Sequence, residues 1–91
     1  HHVLAYVVTP DQVSQLEALD AQDPKPGYAC QTGGVGITGA VRNQIAGWVP
    51  GQYPSRMPAD TALVLPAGSR LVMQLHYNLN ALADPAVSPF D

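Results

Sequence analysis

Residues 2–8, HVLAYVV, are an apolar run rich in β-branched side chains, a pattern that predicts a strand. Thr9, Pro10 and Asp11 then supply an N-cap, a first-turn proline and an early acid, which together start a helix. Val13, Leu16 and Leu19 recur at spacing three, so a short helix over residues 10–20 carries a thin apolar stripe. Asp23-Pro24-Lys25-Pro26-Gly27 admits neither helix nor strand and reads as a loop.

A short strand is expected at 28–31, followed by the Gly-rich stretch from Gly33 to Gly39. Residues 44–49 are apolar again and stop at Pro50 and Gly51, and Pro50, Pro54 and Pro58 keep 50–59 irregular. Residues 61–65 and 70–78 read as strands joined by Pro66-Ala67-Gly68-Ser69, which predicts a hairpin. Five short β segments, one helix, eight glycines and nine prolines point to an all-β sandwich or jelly roll. Five strands do not close such a fold. The expectation is therefore a partial jelly roll with one short helix near 10–20, with residues 1–91 forming a single, incomplete domain.

Side chains alternate between the two faces of a strand. In the last strand Leu71, Met73, Leu75 and Tyr77 fall on one side and read as its core face. Val72, Gln74, His76 and Asn78 fall on the other, so His76 sits between two amides. That setting suits a histidine with a task other than packing.

Composition narrows the field. Hydrophobic residues make up 46% of the chain and charged ones only 12%, about half the usual charged share. So few charges on a small domain imply that part of its surface is covered by another domain, another chain or further strands. A net charge of -3, with only Lys25, Arg42, Arg56 and Arg70 as bases, leaves no basic stripe for nucleic acid. No apolar run approaches the roughly 20 residues that span a bilayer, and no signal peptide is present. Cys30 is the single cysteine; it reads as a small buried residue or as the partner of a cysteine outside this segment.

Three histidines remain as the chemical resource, and neutral imidazole is the commonest biological ligand for copper and zinc. His1 and His2 read as metal ligands or as the scar of a purification tag; His76 reads as a ligand or as a half-buried strand histidine. For His1 and His2 to reach one ion, the backbone must be bulged or bent there, because successive strand residues point to opposite faces. Gly34-Val35-Gly36-Ile37-Thr38-Gly39 matches the dinucleotide pattern G-x-G-x-x-G but lacks the strand before it and the helix after it, so it is read as a tight loop. Asp60, at a tempting distance beyond, follows Pro58 in a loop. The acids are scattered, with Asp20 and Asp23 flanking a helix end, and no nucleophile elbow occurs. Met57 and Met73 are possible thioether ligands but are read as packing residues, and Trp48 as a core or interface aromatic.

Three segments together resemble one family. His1-His2-Val3-Leu4-Ala5-Tyr6 is similar to its paired-histidine strand. Ala46-Gly47-Trp48-Val49-Pro50-Gly51, with Met57-Pro58, resembles a tryptophan-bearing segment of its bacterial members. Residues 65–78, ending Gln74-Leu75-His76-Tyr77-Asn78, resemble its strand with glutamine, one residue, then His-Tyr. The family is the type II copper, ascorbate-dependent monooxygenases, which includes peptidylglycine alpha-hydroxylating and dopamine beta-monooxygenases. The likeness runs from residue 1 to about residue 80, in order, and the lone Cys30 departs from the disulfide-rich animal members toward a bacterial type.

The resemblance implies the N-terminal of two jelly-roll domains, with His1, His2 and His76 holding one copper. It further implies an electron-relay role: an electron from ascorbate passes to the copper of a C-terminal domain, where oxygen is activated and a C–H bond hydroxylated. That second site uses a His-x-His pair and a methionine, and this sequence has no His-x-His. A secreted or periplasmic location follows from the same likeness. Gln74 and Asn78, on the face of His76, are expected to orient its ring. Two other readings stay open: a histidine brace, as in copper-dependent polysaccharide oxygenases, if His1 is the mature N-terminus, and a non-catalytic copper-binding or adhesion module.

Overall fold

The computed structural model describes residues 2–30, 34–37 and 43–77. The β-branched run at the start becomes the middle strand of a small antiparallel sheet. Its elements are β1 (His2–Val8), a 3-10 turn (Pro10–Gln12), α1 (Val13–Asp20), β2 (Gln44–Trp48) and β3 (Arg70–His76). The strand order is β2-β1-β3, antiparallel throughout. The described residues thus form a three-stranded antiparallel sheet with one short helix, the class that the hydrophobic pattern predicts.

The helix starts where Thr9 and Pro10 place it. Thr9 is extended (φ -73°, ψ 157°) and has no side-chain cap; instead the Gln12 N–H donates to the Thr9 carbonyl at 2.9 Å. Pro10 fits there because its missing N–H would have had no helical partner. Val13, Leu16 and Leu19, the predicted stripe, pack against the core.

That core is small. Tyr6 and Val8 of β1 meet Val35 and Ile37, with Leu4 and Val72 packed alongside. Fully burying side chains of this size contributes about 1.5–3 kcal/mol each. The glycine-rich stretch earns its place in the fold here. Gly34 and Gly36 adopt positive φ (62° and 72°), a region that costs other residues roughly 1–2 kcal/mol. These two left-handed steps let Val35 and Ile37 both enter the core, at 1% and 5% exposure. The Tyr28 hydroxyl closes the loop by donating to the Val35 carbonyl.

Three expectations are corrected. Tyr28, Ala29 and Cys30 make no ladder, and residue 31 lies outside the described residues. Residues 61–65 also form no strand, so the predicted hairpin is absent although its turn is present: the Ser69 N–H donates to the Pro66 carbonyl at 3.1 Å. Only Gly68 in that turn has positive φ (83°), which makes it type II, and type II turns splay the segments they join. Pro66 also lacks the N–H that would complete the closing rung.

The third correction concerns β3. Leu71, Met73, Leu75 and Tyr77, read as the core face, are 67%, 63%, 47% and 46% exposed. The opposite face is the inner one, since Val72 lies against Tyr6 and Gln74 against Leu4. The helix and the glycine loop cover that side of β1, so β3 must turn the same face inward. Met57 is likewise exposed, and neither methionine packs in the core.

Candidate metal centre

β1 and β3 pair without a slip from Val8↔Arg70 to His2↔His76. Directly opposed residues in an antiparallel pair have Cα atoms about 4.5–5.5 Å apart and project to the same face. The register therefore sets the imidazoles of His2 and His76 side by side. Their rings stack, with centroids 4.6 Å apart and planes inclined by 19°. His76 is exposed and His2 half-buried, so the pair forms an open rim at the end of the sheet.

Imidazole–metal bonds of about 2.0–2.1 Å put two donor nitrogens on one ion about 3–4 Å apart. Rings at this separation reach that spacing by turning about χ2, a soft torsion in histidine. Two of the three expected ligands are thus brought together. His1 lies outside the described residues, and among those described no cluster of three or more metal-binding side chains occurs. From His2 to Val8 the β1–β3 pairing is regular, and the register shift of β1 falls between Ala5 and Tyr6, against β2.

Below the histidines lies the rung Leu4↔Gln74. Gln74 is 8% exposed, and both ends of its amide are engaged. Its oxygen accepts from the Tyr6 hydroxyl at 3.5 Å, and its nitrogen donates to Cys30 Sγ at 3.5 Å. Gln74, expected to orient the His76 ring, is engaged by these two contacts, which tie β3 to Tyr6 and Cys30 one rung down. A buried amide is tolerated when its polar atoms are matched, and these are. Asn78, the other residue expected to orient the ring, lies outside the described residues.

Tyr6 and Cys30 had no assigned part in the site. The available signal was parity, since Tyr6 shares the even-numbered face of β1 with His2 and Leu4. Cys30 carries no such signal, because its approach depends on the path of the 23–30 loop. Burial pushes the Tyr28 phenol, two residues from Cys30, above its usual value, and negative charge at Cys30 and Asp20 adds to the effect.

Met73 is on the outer face and so points away from the histidines. Trp48 opposes Val3, which in turn opposes Leu75, so the three make an apolar row on that outer face. Among the described residues, no helix is long and apolar enough to cross a membrane. Scans against protein-family models, curated proteins and solved structures return no match to this chain.

Proposed function

We propose that this chain is the copper-binding, electron-relay domain of an ascorbate-dependent copper monooxygenase, with His1, His2 and His76 as its ligands. The observation that carries the reading is the cross-strand pair: His2 and His76, from opposite ends of the described chain, meet with stacked rings. Imidazole ligands at an open rim suit copper, and nitrogen donors accept both of its common oxidation states. Copper bound there supplies one-electron transfer. The protein's part is to fix two imidazoles on a paired backbone, to leave the rim open to a reductant such as ascorbate, and to brace it from below through Gln74.

On this proposal, oxygen activation and C–H hydroxylation belong to a C-terminal copper domain of the same native protein. A secreted or periplasmic setting accompanies that assignment.

Copper titration followed by electron paramagnetic resonance tests it. The chain is expected to bind one equivalent, and His76→Ala to abolish stoichiometric binding; a His76→Ala protein that still takes up one copper sinks the proposal. Acetylating the amino group of His1 distinguishes the brace. The relay site keeps its copper after acetylation, whereas a brace loses it.

A further inference from the structure

The ribbon of β1 and β3 is unevenly supported along its length. Near its Val8↔Arg70 end, Tyr6 and Val8 are buried beneath Val35, Ile37 and the stripe of α1. Toward the other end the cover thins: His2, Val3, Leu4 and Ala5 are only half-buried, and Gln74 is the last buried residue of β3. Support from β2 stops short as well. Its pairing with β1 begins at Val3, which leaves His2 paired with β3 alone among the described residues. The His2↔His76 rung is thus the last one described, held by backbone and by two rings whose centroids lie 4.6 Å apart. Opening such an end exposes little apolar surface, so it costs far less than unfolding the core.

We propose that the ion held by His2 and His76 also staples this end of the ribbon, so that loading the site and closing the rung are one equilibrium; the identity of the ion rests on the copper reading. The two imidazoles come from different strands, and one ion reaches both only while the strands are paired there. An ion that favours one of two states shifts the population by its differential affinity and by no more. Any opening that separates His2 from His76 releases the ion. Exchange through that opening therefore slows by about one plus the ratio of free ion to its dissociation constant. The thin end, which opens most often in the empty chain, shows the effect most directly. The converse holds too, since the fraction of chains with an open rung weakens the apparent affinity in proportion. Gln74 bounds the staple, because its contacts with Tyr6 and Cys30 tie β3 down one rung inside.

Amide hydrogen exchange of the full chain, read by nuclear magnetic resonance without metal and with rising anaerobic Cu(I), is the direct experiment. Dialysis of the same samples measures uptake of the ion. Without metal, the ladder amides of residues 2–4 and 74–76 are expected to exchange at least about tenfold faster than those of residues 6–8 and 70–72. With free Cu(I) at about ten times its dissociation constant, the faster set is expected to slow about tenfold. Equal exchange along the whole metal-free ribbon overturns the staple, whether or not copper binds. So does uptake of Cu(I) that leaves residues 2–4 and 74–76 exchanging as before, a result under which the copper reading stands. A chain that takes up no Cu(I) overturns that reading and the staple together. In His76→Ala the metal-free gradient is expected to persist and the gain with Cu(I) to vanish; a gain that survives places the ion elsewhere, and the staple fails.

Discussion

The two faces of the β1–β3 ribbon are made of similar residues and meet opposite fates. On the inner face Tyr6 and Val8 are sealed by Val35, Ile37 and the stripe of α1. On the outer face Val3, Ala5, Leu75 and Met73 form equally apolar rows, and there only Val7 is buried, at 4% exposure, while the β3 members stand open to solvent. Apolar character does not decide which side becomes the core. The decision falls to the covering elements, and here one helix and one left-handed glycine loop both cover the same side.

The largest expected contrast follows from that. Tyr6→Ala removes a ring at 2% exposure and is expected to cost about 3–5 kcal/mol, enough to abolish cooperative unfolding in so small a domain. Met73→Ala, at 63% exposure, is expected to shift stability by no more than about 0.5 kcal/mol in dilute solution. Urea unfolding of both variants checks the pair. Equal losses mean that the outer face is also a core in solution.

A smaller effect probes the polar rung beneath the histidines. Gln74→Leu leaves the buried Tyr6 hydroxyl without its acceptor, at an expected cost of about 1–3 kcal/mol. Adding Tyr6→Phe removes the orphaned group as well, so the double variant is expected to recover most of the loss. A strictly additive double-mutant cycle shows that the 3.5 Å contact carries no coupling.

Much of this fold was legible beforehand, and particular residues show why the rest was not. The β-branched run 2–8, the Thr9-Pro10 start and the Pro50-Gly51 stop each act locally, and each lies where the pattern sets it. The strand expected at 61–65 failed on turn chemistry, because Gly68 makes a type II turn and Pro66 lacks a donor. The inner face of β3 is the opposite of the one its apolar alternation suggests, since alternation separates two faces without saying which one the chain will cover. The site was half legible. The polar setting of His76 marked it as unusual, but its contact with His2 depends on register, which no periodicity within either strand supplies. Resemblance grouped the histidines; pairing β1 with β3 brings His2 and His76 together.

The smallest effect concerns the loop that seals the inner face and does not reach the outer side chains of β3. Tyr28 holds the glycine loop through its bond to the Val35 carbonyl, and burial raises its phenol above the ordinary value near 10, with negative charge at Cys30 and Asp20 adding to the rise. The folded chain therefore keeps the phenol proton at pH values where the unfolded chain has released it. A raised folded value contributes stability that is fully present below about pH 10 and is lost as pH climbs through the folded value. Alkaline titration above pH 10 is thus expected to loosen the inner face. Tyr28→Phe cannot ionise, so it starts less stable at neutral pH by about 0.5–1.5 kcal/mol for the lost hydrogen bond. Above pH 10 it then declines less steeply than the parent chain. Near-ultraviolet circular dichroism of the two proteins from pH 8 to 12 makes the comparison, and parallel alkaline losses would detach Tyr28 from the sealing of that face.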